Sequence, residues 1–272
     1  MAQWSGRFAL VVLTLLAACS TSSNSALDGL APSSAPSPNQ ILATAPRFGD
    51  RDPHDWQRSP PWTYAVHGTD VSKYQAAVDW STTRKNGISF AFLKATEGGD
   101  RVDDYFEVNW RNTKAAGIPR GAYHFYYFCR TAQEQAEWFI RNVPRDASAL
   151  PPVLDMEWNH LSPTCKLRPD AATVQSEMKI WLEIVGRHYG KRPIIYTSTD
   201  FYEDNRLVNF HGYDWWLRSV AMHPHDRYGG RRWLFWQYTG TGIVPGIAGD
   251  ADINVFHGDA GEWRKWLRSV AR

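Results

Sequence analysis

The chain of 272 residues has only three cysteines, no internal repeat, and no apolar run of the roughly 20 residues that a membrane-spanning helix needs. A disulfide-dense mini-scaffold, a solenoid and a helical membrane bundle are thereby excluded as readings. Lys and Arg total 30 against 28 Asp and Glu, a net charge of +2, and the basic residues are scattered, which argues against a nucleic-acid partner. Neither a Gly-x-Ser-x-Gly elbow nor a P-loop occurs, and Gly240-Thr241-Gly242 leads into no dinucleotide-type helix. No spaced pair such as His-Glu-x-x-His is present, so no metal is expected, and His67 and His124 read as hydrogen-bonded strand histidines. No cofactor is implied.

At the N-terminus, Arg7 precedes the short apolar stretch Phe8 to Ala18, the pattern of an export signal over 1–18. The run Leu16-Ala17-Ala18-Cys19-Ser20 resembles the bacterial lipobox, making Cys19 the expected lipidated residue; an ordinary small-residue cleavage site is the alternative. Ser20 in place of Asp after the cysteine suggests, by resemblance to other such lipoproteins, the periplasmic face of the outer membrane. Residues 19–61 are rich in Ser, Pro, Ala and Asn, too poor in apolar surface to offset the entropy of ordering, and read as a tether. As a flexible coil it would span about 35 Å.

Residues 62–272 remain for one sizeable domain, expected to be a monomer. The 14 Trp and 12 Tyr suit sugar faces as well as a core. With Cys19 set aside, Cys129 and Cys165 lie shortly after separate strands in an oxidising compartment, which favours a disulfide; two unpaired thiols are the alternative.

Strands are predicted over Tyr64 to Ser72, Ile88 to Thr96, Arg120 to Phe128, Leu150 to Glu157 and Pro193 to Ser198. Between them lie helical patterns: Asp103 to Ala116, Ala136 to Val143 after the capping box Thr131/Glu134, and a long helix from the cap Asp170 to Gly190. Three strands follow, Tyr213 to Val220, Trp233 to Tyr238 and Ala251 to Phe256, with no convincing helix between them, then a terminal helix from Gly261. The α/β class is therefore a modified TIM-like barrel of five strand-helix units followed by three strands, whose active site belongs at the carboxyl ends of the strands.

Acids collect at that end. Asp155-Met156-Glu157 closes the apolar run Leu150 to Leu154, and a strand rise of roughly 3.3 Å per residue puts its two carboxylates on one side, about 6.6 Å apart at their attachment points. Neighbouring carboxylates in a poorly hydrated mouth cannot both ionise freely, so one keeps a proton to donate. Asp70, Glu97 and Asp252 lie at the ends of three other strands. Each alone reads as a loop acid, but four strands aiming carboxylates at one mouth is difficult to explain as stability.

The segments Gly68-Thr69-Asp70-Val71-Ser72-Lys73-Tyr74-Gln75, Lys94-Ala95-Thr96-Glu97-Gly98, Gly121-Ala122-Tyr123-His124-Phe125, Leu154-Asp155-Met156-Glu157, Pro193-Ile194-Ile195-Tyr196-Thr197 and Trp236-Gln237-Tyr238 occur in this order. Together they resemble the glycoside hydrolase family 25 lysozymes over nearly the whole domain. That resemblance implies N-acetylmuramidase action on peptidoglycan glycan strands, with Glu157 as general acid, Asp155 as its partner carboxylate, and Asp70 and Asp252 completing the cluster. Glu97 matches a second signature acid, for which a structural role with Lys94 is the alternative. Two departures stand out: Ala76 replaces the usual Gly, Pro or Glu, and Trp215-Trp216-Leu217-Arg218 replaces Leu-Trp-Ile-Ala.

Tyr123, Tyr126, Trp158, Tyr196, Trp236 and Gln237 are candidate sugar contacts, although alternation sends about half of such residues toward the helices. The expected route has Glu157 protonate the bridging oxygen while Asp155 orients the substrate's own acetamido group; inversion with Asp155 or Asp70 activating water stays open. A chitinase-like glycosidase and a non-catalytic glycan-binding lipoprotein are the rival classes.

Overall fold

A computed structural model describes residues 48–57, 59–160 and 162–271; the export signal, Cys19 and the tether up to residue 47 lie outside them. In chain order the first elements are β1 (Gly49–Asp50), β2 (His67–Val71), α1 (Trp80–Lys85), β3 (Ile88–Glu97), β4 (Arg101–Val102), α2 (Phe106–Ala115), β5 (Arg120–Phe125) and α3 (Ala132–Asn142). Then come β6 (Val153–Met156), α4 (Ala171–Tyr189), β7 (Ile194–Thr197), α5 (Thr199–Asp204), β8 (Asp214–Arg218), α6 (Pro224–Arg227), β9 (Phe235–Ile243), β10 (Ala251–Phe256) and α7 (Ala260–Val270).

The strands close in the order β2-β3-β5-β6-β7-β8-β9-β10 and back to β2. Pairings from β2 round to β9 are parallel, and β10 alone runs against its two neighbours. This is the eight-stranded barrel expected from the strand spacing. The capping box Thr131/Glu134 opens α3, and α4 runs from its cap Asp170 to the left-handed Gly190. Two expectations need correction. Strand pairing begins inside the span assigned to the tether, since β1 pairs with β9 and Trp56 packs edge-on against Trp236. A four-residue helix, α6, also sits between β8 and β9, too short to register as a period of 3.6.

Alternation divides each strand between the helix shell and the barrel interior. Outward residues such as Leu93, Ala122, Leu154, Ile195, Leu217 and Trp236 pack against the helices in the larger core cluster. Inside, Phe90, Phe92, Val153, Ile194, Trp216, Phe235 and Phe256 form a second cluster, with Phe92 stacked on Trp216 at 4.6 Å. Gly68 and Gly121 face these rings, and a Cβ at either would collide with Phe90 or Phe92. Removing either ring would leave a cavity costing about 3 to 5 kcal/mol. The amphipathic α7 brings Trp263 and Trp266 against Phe235 and Phe256, closing the barrel end opposite the strands' carboxyl termini.

Candidate active site

The inward positions above the aromatic layers are polar. Asp70 on β2, Lys94 on β3, Tyr123 and Phe125 on β5, Asp155 on β6 and Glu157 just beyond it line one cavity with Tyr196, Trp216, Arg218, Gln237 and Asp252. Its volume is about 850 Å³ including the open mouth, and Ser72 and Tyr74 form part of its wall. Four of the five predicted acids are therefore brought together. Each arrives by the i, i+2 rule: Asp155 and Glu157 continue the inward series from Val153, and Asp252 follows the inward Asn254 on β10.

A chain of hydrogen bonds fixes Asp70. The Tyr196 hydroxyl donates to Gln237 Oε1 (3.0 Å), and Gln237 Nε2 donates to Asp70 Oδ2 (3.0 Å). From the other side, Trp216 Nε1 donates to Asn254 Oδ1 (2.7 Å), whose Nδ2 donates to Asp70 Oδ2 (2.7 Å). These amide donors favour the carboxylate, but burial outweighs them and pushes Asp70 up to about 6. Burial raises Glu157 to about 7; Arg218 and Lys94 oppose the shift, and Asp200 and Asp70 add to it. Asp155 rises well above the carboxylate range through burial and then the charge of Glu157, and Asp252 through burial and then Asp70. Asp155 is 6% exposed, and its buried Oδ1 has no hydrogen-bond partner among the described residues. Glu157 is partly exposed. The arrangement can hold protons near neutrality at one place and offer an acceptor beside them.

Other candidates fall elsewhere. Glu97 lies outside the cavity lining, with one oxygen 2.5 Å from Lys94 Nζ and the other 3.9 Å from Arg101 Nε. A register shift between Lys94 and Thr96 breaks the alternation of β3 and sets Glu97 level with Phe125, where Lys94 and Arg101 engage its carboxylate outside the cavity lining. Trp236 is wholly buried on the helix side, its indole N–H donated to the Ser219 carbonyl at 2.7 Å, so it is corrected as a sugar contact. Tyr126 also faces outward, donating its hydroxyl to Glu177 (2.7 Å), and lines a neighbouring cleft with Glu157 and Trp158. Tyr123, Tyr196 and Gln237 do line the cavity. His124 is satisfied by Thr96 (2.7 Å) and Gln135 (3.1 Å), whereas among the described residues His67 bonds only the Tyr64 carbonyl and its Nδ1 has no partner.

Cys129 and Cys165 form a disulfide that joins the loop after β5 to the loop after β6. Sequence reasoning gave no site role to Asn254 or Arg218. Asn254 is one pleat from Asp252, and that spacing was the available signal; Arg218 was named only as part of the Trp215 to Arg218 departure from the family pattern.

A closed, mostly parallel barrel with carboxylates clustered at the carboxyl ends of its strands has the layout of a glycoside hydrolase. Residues 69–247 match the model for Glycosyl hydrolases family 25, and the chain belongs to that family. It is 35% identical over 214 residues to Lysozyme M1 of Streptomyces globisporus, covering 74% of this chain and 71% of that one. The uncharacterized protein YegX of Escherichia coli strain K12 is 36% identical over 215 residues, covering 77% and 76%. Among solved structures, a family 25 glycosyl hydrolase from Bacillus anthracis superposes with a TM-score of 0.68 at 35% identity, covering 80% of this chain and 98% of that one.

Proposed function

We propose that the chain is a 1,4-β-N-acetylmuramidase that cleaves peptidoglycan between N-acetylmuramic acid and N-acetylglucosamine. Glu157 protonates the bridging oxygen as the bond breaks and positive charge develops at the anomeric carbon. Asp155 accepts the N–H of the substrate's 2-acetamido group, so that the acetamido oxygen attacks and forms a cyclic intermediate. Water then opens that intermediate, losing its proton to Glu157. Asp70 and Asp252 complete the acid cluster beside the reacting carbon, and Tyr123, Tyr196 and Gln237 contact the sugar. The observation that carries this reading is the pairing of a proton-retaining Glu157 with an Asp155 oxygen that is buried and without a partner.

The proposal extends to location. Residues 1–18 export the chain, Cys19 carries the lipid, and the Ser/Pro-rich segment lets the domain work beside the periplasmic face of the outer membrane. Radiolabelled palmitate incorporation that is lost in Cys19→Ser would support this, and unlabelled wild type would refute it.

Digests of purified sacculi, reduced with borohydride and analysed by mass spectrometry, test the activity. Reduced muramic acid at fragment ends is expected. Reduced glucosamine ends, cleavage of soluble chitin oligomers at comparable rates, or retention on sacculi without fragments would overturn the proposal.

A further inference from the structure

Two cations line the cavity, and they differ in their ties. Lys94 is held by Glu97 at 2.5 Å and lies over the Phe125 ring at 4.7 Å from its centre. Arg218 is partly exposed, and its side chain makes no hydrogen bond or ion pair among the described residues; only its backbone carbonyl is engaged, by the Tyr228 hydroxyl. The strand nevertheless aims it inward, one pleat beyond Trp216, whose indole is fixed by Asn254. The guanidinium thus sits on a rigid barrel strand with its donors free, in the field of Asp70, Glu157 and Asp252. Glu157 and Asp70 retain protons toward neutrality, so this wall of the cavity is less anionic than its composition implies.

Resting on the muramidase reading, we infer that Arg218 selects glycan strands whose muramic acid bears a free lactyl carboxylate over strands whose lactyl group is amide-linked to a peptide. The chemistry of the substrate leads there. Hydroxyls and acetamides of the strand are neutral, and the 3-O-lactyl group is the part of the sugar itself that is either an anion or an amide. A guanidinium fork can give a carboxylate two parallel charge-assisted hydrogen bonds, whereas an amide carbonyl offers one neutral acceptor. The favoured substrate is the product of an amidase reaction, hydrolysis of the bond between the lactyl carboxyl and the first residue of the peptide, so this enzyme acts after such a step.

The test compares kcat/KM of the purified full chain on amidase-stripped strands and on peptide-bearing strands of matched length. Wild type is expected to prefer the stripped strands, and Arg218→Gln to lower that ratio about tenfold or more. Arg218→Lys, with charge but no fork, should fall between them. Without any variant, free N-acetylmuramic acid should inhibit wild type more strongly than its lactyl methyl ester. Equal losses on both substrates in Arg218→Gln with a displaced pH profile, or equal inhibition by acid and ester, would overturn the inference and leave the muramidase reading intact. Failure of wild type to release reducing muramic acid from either substrate would sink that reading itself.

Discussion

Glu157→Gln should abolish lysis and yet stabilise the protein, by an amount that depends on pH. In the folded chain Glu157 keeps its proton up to about pH 7, while an ordinary glutamate releases it near 4.5. Between those values the folded state binds more protons than the unfolded state, so stability falls as pH rises through the window. One pKa unit is about 1.4 kcal/mol, which puts the full effect near 3 kcal/mol at pH 8. Solvent reaching the partly exposed carboxyl reduces this to about 2 kcal/mol. The neutral Gln side chain avoids the penalty. For a domain of this size roughly 2 to 4 °C accompany each kcal/mol, so the variant should melt about 4 to 8 °C above wild type at pH 8. Below pH 4.5 both side chains are neutral and the difference should vanish. Thermal unfolding followed by near-ultraviolet circular dichroism at pH 4 and pH 8 reads both values. A melting difference that is the same at the two pH values would refute the electrostatic account of this site.

The same group sets an alkaline limit to catalysis: kcat/KM on soluble muropeptide oligomers should fall about tenfold per pH unit above about pH 7, and a profile flat to pH 9 would remove Glu157 as the acid. Tyr196→Phe removes the donor to Gln237 and loosens the chain that orients Asp70; a loss of about 1 kcal/mol in denaturant unfolding is expected together with a fall in kcat. Replacing Cys129 and Cys165 by Ser together should cost about 2 to 4 kcal/mol, because the bond closes a loop across a separation of 36 residues; an unchanged urea midpoint would refute this.

The barrel and its acid cluster were legible because both rest on strand alternation. An inward Val153 makes Asp155 and Glu157 inward without any knowledge of the partner strands. The same rule, carried one residue further, separates Gln237 from Trp236 and Phe125 from Tyr126, but it needs the register of each strand, and register is a property of the closed sheet. Glu97 shows the limit most clearly. Local periodicity on β3 is interrupted at Thr96, whose hydroxyl bonds the outward His124 on the neighbouring strand, so Glu97 falls level with Phe125 and its fate is set by the pairing with Lys94, neither of which Lys94 to Gly98 taken alone announces. Short helices such as α1, α5 and α6 escaped because six residues or fewer do not sample a helical period twice. The hydrogen-bond relay through Asn254 and Gln237 joins residues far apart in the chain, 184 and 167 positions from Asp70.

The tryptophans of α7 give the barrel a floor. On the muramidase reading, a long polysaccharide therefore cannot be drawn through the molecule end to end; it meets the acids only by being laid across the rim, as thread over an anvil.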